Sequence, residues 1–177
     1  MQLLLDREPE LRERHGISFR ITGIASRTLG WIANPEGLDV KRAPSPAKSR
    51  RSHQCLEVGS WLSAARADVL FEATSLNVDT GQPAIDHIRA ALNHGAHAIT
   101  ANKGAIVHAY RELRDLAKVR GKRFMFESTV MDGVPIFSLF DQLPAIHLQG
   151  FHGILNSTTN VILSEMESGL SFDEALK

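Results

Sequence analysis

Two periods of apolar residues alternate along this chain. Ile85, Ile88, Ala91 and Leu92 recur at helical spacing between Pro83 and Gly95, which predicts a helix that Pro starts and Gly closes. Ile106, Tyr110, Leu113 and Ala117 repeat at i, i+4, i+7 and i+11 and predict a second helix ended by Gly121. Short apolar runs at 68–74, 96–100 and 124–127 read as strands of a parallel sheet, and the run at 68–74 reads as buried. A helix over 56–65 precedes them, and Phe19, Ile21 and Ile24 predict a strand finishing near Ser26. Leu3, Leu4 and Leu11 predict an opening helix that ends near Gly16, with Pro9 either kinking it or starting it afresh. Residues 28–54 break the rhythm. They are rich in Gly, Pro, Ser and Arg, and the turns at Asn34-Pro35 and Pro44-Ser45-Pro46 predict an irregular connection with room for one short strand.

Strand and helix thus alternate from Phe19 to Glu127, the pattern of a parallel sheet with helices on both faces. After Val130 the pattern changes. A short helix from Gly133-Val134-Pro135 through Phe140, a strand over 146–154 and a helix over 158–167 with Val161, Ile162 and Met166 inward are predicted. Ser171-Phe172-Asp173-Glu174 then reads as a capping box. Its helix would be too short by Lys177 to offset the cost of nucleation, so the domain is expected to continue.

None of the thirteen glycines forms the GxGxxG turn that receives a pyrophosphate in dinucleotide folds. The expected fold class is therefore α/β: an incomplete doubly wound, Rossmann-like parallel sheet lacking its first strand, with the helix at 2–15 as the tail of the absent unit. The start of an α+β substrate and dimerisation domain follows, and the boundary falls between 1–130 and 131–177.

Composition narrows the function classes. Twenty Lys and Arg balance twenty Asp and Glu, so neither a nucleic-acid footprint nor a polybasic membrane surface is indicated. The cations clustered between Lys41 and Arg51 are broken by Pro44 and Pro46 and read as a solvated loop. A single cysteine, Cys55, excludes a disulfide framework and a Cys-based metal site, and the eight histidines lack ligand spacing. No run approaches a membrane span or a signal peptide, so a cytoplasmic location is expected.

Three blocks carry the chemistry: Thr100-Ala101-Asn102-Lys103-Gly104, Phe126-Glu127-Ser128-Thr129-Val130, and the stretch from Gly153 to Asn160. In that order and spacing they resemble homoserine dehydrogenase, the nicotinamide-dependent enzyme that interconverts homoserine and aspartate semialdehyde on the route to threonine and methionine. The resemblance implies that Lys103 lies by the nicotinamide and the substrate carbonyl, as a cation stabilising charge on oxygen. It also implies a cofactor-contacting turn at Thr74 and Ser75, with Asn102 either a ligand or a tie within its turn. Gly153, Asn156, Ser157 and Thr158 match the strand-to-helix turn beside the cofactor, with Ser157 where the family has Gly. Ser26 and Arg27 end the second strand of the inferred fold, where an acidic side chain would select NAD; this pair suits the 2′-phosphate of NADP.

Glu127, Val130, Asp132 and Val134 line up with the family's monovalent-cation site, although Met131 and Asp132 stand where Gly is expected. If that turn needs positive φ, they strain it. The acidic cluster and second lysine of the family have no counterpart within these residues, so little activity is expected of them alone. The intact protein is expected to be a homodimer. Two alternatives stay open: a semialdehyde dehydrogenase of related fold, for which Cys55 is poorly placed, and a non-catalytic remnant or dimerising partner.

Overall fold

Pro9 starts a helix and does not bend one. Helix α1 (Gln2–Asp6) stops at Arg7, and α2 (Glu8–His15) begins afresh with Pro in its first turn, where the missing amide costs nothing. Gly16 closes α2 in the left-handed region, with its N–H on Arg12 O at 3.1 Å and that of Ile17 on Leu11 O at 3.1 Å. The computed structural model describes residues 2–39, 57–131, 134–143, 145–154 and 156–176. They fall into two units, one up to Ser138 and one from Leu139 onward.

In the first unit, β1 (Gly23–Ser26) pairs antiparallel with β2 (Gly30–Ala33) in a separate hairpin. This corrects the expectation that the first strand joins the parallel sheet and that strand and helix alternate without interruption from Phe19. The reversal is local: Ser26 Oγ accepts from Leu29 N at 3.0 Å, and Gly30 takes φ +70. Helix α3 (Val58–Ala65) docks on that hairpin through Trp61, whose indole N–H donates to Ile32 O at 2.8 Å. Gly23 leaves room for the ring, since a Cβ there would come within 2.7 Å of Trp61.

The parallel sheet has the order β3 (Val69–Glu72), β4 (His97–Thr100), β5 (Phe124–Met125). Helix α4 (Ala84–His94) crosses from β3 to β4, and α5 (Lys103–Val119) from β4 to β5. The core forms where the helices meet one sheet face. Leu62, Ile88, Leu92 and Leu113 are fully buried, and Ala84, Ala91, Ala98, Ala105 and Ala117 between them allow close approach.

The other sheet face carries no helix among the described residues, contrary to the two-sided cover expected from the apolar run at 68–74. Along β3 burial alternates: Leu70 and Glu72 point inward, while Val69 and Phe71 are 41% and 60% exposed.

After β5 a single 3-10 turn (Glu127–Thr129) leads to Met131, which stands at φ +53. Phe126 gathers Phe124, Tyr110 and Phe137 around it, with ring centroids 5.3, 5.4 and 4.8 Å away. Helix α6 (Phe137–Asp141) follows.

The second unit, described by itself, holds α7 (Ser157–Glu167) and α8 (Phe172–Ala175). Glu174 caps α8 as expected, accepting from Ser171 N at 2.9 Å and Ser171 Oγ at 2.5 Å, which holds its carboxyl below the ordinary value. The strand predicted over 146–154 is absent from the described residues, because none of them supplies a neighbouring strand for its backbone. Nor do Val161 and Met166 face inward: they are 57% and 37% exposed, and Ile162 alone of the three is half-buried.

Candidate functional site

Parallel sheets gather their loops at the carboxyl ends of the strands, and Arg27, Thr74, Ser75, Asn102 and Lys103 come together there. The register pairs Glu72 at the end of β3 with Thr100 at the end of β4. Glu72 Oε2 accepts from Thr100 Oγ1 at 2.7 Å, while Oε1 accepts from Thr74 N at 2.7 Å and from Thr74 Oγ1 at 2.5 Å. Thr100 Oγ1 in turn accepts from Asn102 N at 2.9 Å.

Asn102 is the N-cap of α5. Its Oδ1 accepts from Gly104 N at 3.0 Å and its Nδ2 donates to Thr74 O at 3.2 Å, so a residue only 6% exposed ties both turns together. The tie read for Asn102 is present in these two side-chain bonds. Lys103 is the first residue of α5 and is exposed, and its ammonium makes no ion pair among the described residues.

Arg27 reaches the same region from the hairpin, while the Ser26 hydroxyl stays within its own turn. Arg27 Nη2 donates to Ser75 Oγ at 3.3 Å, linking the end of β1 to the turn after β3. The edge therefore presents two small hydroxyl residues, Thr74 and Ser75, with one exposed guanidinium and one exposed ammonium. Such a donor set suits the sugar and carbonyl ends of a dinucleotide and its substrate; a glycine-rich phosphate turn is not part of it.

Residues 77–81 pack against the start of α5 by backbone contact. A Cβ on Gly81 would lie 2.7 Å from Gly104 O, and one on Gly104 would lie 2.9 Å from Gly81 Cα. His108 Nε2 adds a contact to Val78 O at 2.8 Å.

The remaining candidates follow β5 or belong to the second unit. The Glu127 carboxylate faces the opening of α6, with Oε1 bonded to the amides of Ile136 and Phe137 (the latter at 2.9 Å) and Oε2 to that of Ser138 at 3.0 Å. Partial burial pushes this carboxyl up, the amides of Ser138, Phe137 and Ile136 pull it down further, and the balance lies below the ordinary value. Val130 and Val134 are exposed, and Asp132 lies outside the described residues, as do Cys55 and the run from Lys41 to Arg51. Among the described residues no cluster of His, Cys, Asp or Glu could hold a metal ion.

Gly153, Asn156, Ser157 and Thr158 belong to the second unit. There Asn156 Oδ1 accepts from Thr159 N at 2.8 Å and caps α7, and Ser157 and Thr158 are exposed in its first turn. No helix among the described residues is long and apolar enough to cross a membrane.

The roles of Glu72 and Thr100 and the Gly81–Gly104 contact are not singled out by the sequence. A signal for the first is nonetheless present: a carboxylate near the end of an apolar strand, with a threonine at the equivalent place in the next.

Residues 3–127 match the family described as "Homoserine dehydrogenase, NAD binding domain", and residues 135–177 match "Homoserine dehydrogenase". The NAD(+)-dependent homoserine dehydrogenase of Pseudomonas canavaninivorans is 34% identical over 99% of this chain and 52% of its own length. The crystal structure of a putative homoserine dehydrogenase from Archaeoglobus fulgidus is 31% identical with a TM-score of 0.70, covering 99% of this chain and 53% of that one. A hyperthermophilic archaeal homoserine dehydrogenase mutant in complex with NADPH shares the fold at TM-score 0.74 and 22% identity, over 99% of this chain and 54% of that one. The chain spans about half the length of these relatives.

Proposed function

Since the chain belongs to the homoserine dehydrogenase family, we propose that the intact protein interconverts homoserine and aspartate semialdehyde with a nicotinamide cofactor, and that this cofactor is NADP. One observation carries the reading: the exposed ammonium of Lys103, without an ion pair among the described residues, stands at the head of α5 on a turn that Asn102, Thr74, Thr100 and Glu72 hold from below.

When bound, the nicotinamide supplies or accepts the hydride. The chain's own residues orient and neutralise. Lys103 places a positive charge where it stabilises oxygen as the carbonyl gains negative charge. Thr74 and Ser75 leave the backbone of their turn open to a sugar or phosphate. Arg27, held by Ser75, offers a guanidinium suited to a 2′-phosphate, and Ser26 offers no carboxylate to repel it. Asn102 serves by shaping the turn.

The same reading assigns the exposed start of α7, with Gly153, Asn156, Ser157 and Thr158, to the cofactor side of the substrate domain. It assigns a monovalent cation to oxygens of the 127–134 turn. The domains divide at about residue 130, and the intact protein is a cytoplasmic homodimer.

Fluorescence titration tests the cofactor assignment. NADPH should bind more tightly than NADH, and Arg27→Ala should weaken NADPH by about tenfold to a hundredfold, the worth of a charge-assisted hydrogen bond, while leaving NADH unchanged. Equal loss for both nucleotides, or none for either, refutes the role of Arg27. In the intact enzyme Lys103→Met should lower kcat far more than it raises KM for homoserine; the reverse split would make Lys103 a binding residue only.

A further inference from the structure

One buried carboxyl, which supports the Lys103 turn, touches neither cofactor nor substrate in the reading above. Glu72 is 4% exposed, and no Lys, Arg or His forms an ion pair with it among the described residues. A carboxylate buried without a counter-cation is expensive to desolvate, and an apolar side chain of similar size would fill the space at less cost. Its partners show what it does instead. Thr74 N, Thr74 Oγ1 and Thr100 Oγ1 all donate to it, Asn102 N donates to Thr100 Oγ1, and Asn102 Nδ2 donates back to Thr74 O. These bonds close a ring between two turns that are far apart in sequence.

We infer that Glu72 is a positioning residue for the reactive edge. Its carboxylate clamps the Thr74-Ser75 turn to the Thr100-Asn102 turn, and so fixes where Lys103 stands relative to the hydroxyls that receive the cofactor. The clamp adds to the sheet pairing: Glu72 and Thr100 are the last paired residues of β3 and β4, and their side chains carry the connection on to Thr74 and Asn102, which the strands leave unpaired. Thr100 is its second half: one hydroxyl that donates to Glu72 and accepts from Asn102 transmits the placement from one turn to the next. The functional part rests on the cofactor reading given above.

Glu72→Gln, Thr100→Val and Thr100→Ser in the full chain test this, with amide hydrogen exchange by NMR and NADPH titration by fluorescence as readouts. Glu72→Gln and Thr100→Val should speed exchange at Thr74 and Asn102 by about tenfold, the equivalent of one net hydrogen bond. Exchange at Ile88 and Leu92 in α4 should not change. NADPH dissociation constants should rise by a similar factor in both variants, and Thr100→Ser, which keeps the hydroxyl, should behave as wild type. Unchanged exchange at Asn102 overturns the clamp, as does a uniform rise through α4, which marks a general loss of stability. A loosened Asn102 with unaltered NADPH affinity overturns the positioning role. An intact wild-type protein that binds no NADPH overturns the cofactor reading and the functional half of the inference with it, while exchange at Asn102 still decides the clamp itself.

Discussion

Gly81→Ala should be among the more damaging single-methyl additions to this protein. Gly81 has φ +67, and a Cβ there would stand 2.7 Å from Gly104 O, 2.8 Å from Ile85 Cδ1 and 2.9 Å from Gly104 C. The isoleucine end can swing aside, but the Gly104 backbone is held in the first turn of α5 by the Asn102 cap. Two costs therefore add. The left-handed conformation costs an L-residue about 1–2 kcal/mol, and forcing a methyl into a filled space costs about 1–3 kcal/mol more.

Gly121 separates the two. It has nearly the same φ, +63, but nothing lies within 4 Å of where a methyl would stand, so Gly121→Ala bears the first cost alone. In urea unfolding at unchanged m, Gly81→Ala should lose about 2–5 kcal/mol and Gly121→Ala about 1–2 kcal/mol. The difference measures the contact of residues 77–81 with α5. If the two variants unfold within about 0.5 kcal/mol of each other, the contact is not tight and the reasoning fails.

Other expectations follow from the turn after β5. Met131 sits at φ +53 with an exposed side chain, so Met131→Gly removes left-handed strain at little loss of contact and should raise stability by up to about 1 kcal/mol in the same urea assay; a loss would show that the side chain contributes more than its conformation costs. Glu127 has its folded-state carboxyl depressed below the ordinary 4.5. The stability it confers is therefore complete above that ordinary value and is lost as pH falls through the lower native one. Glu127→Gln should flatten the acid limb of a stability-pH curve, and an unaltered limb would assign acid sensitivity to other carboxyls.

The elements that can be read from sequence are those whose signals are local. Helices α4 and α5 declare themselves by apolar spacing and by Gly95 and Gly121 at their ends, both left-handed as a closing glycine requires. The first strand near Ser26 and room for a second in the connection can be read from sequence, but the antiparallel pairing of β1 with β2 cannot, because the glycines and prolines around Gly30-Trp31-Ile32 signal loop. The apolar run in β3 reads as buried on both faces because Phe71 and Leu70 look alike in sequence, yet the pleat sends one to solvent. At the sheet edge, the turn of Asn102 and Lys103 at the head of α5 is legible from its motif. Glu72 and Gly81 are not, since each matters through a partner that only the crossovers bring near.

The seat of α3 on the hairpin also supplies an optical probe. Trp31 and Trp61 are the chain's two tryptophans, and their rings meet edge to face at 5.6 Å. Indole emission and near-ultraviolet dichroism consequently watch one corner of the molecule, while the backbone signal at shorter wavelengths averages over every helix. Melting curves that separate between those wavelengths would mean that this corner comes loose before the sheet does.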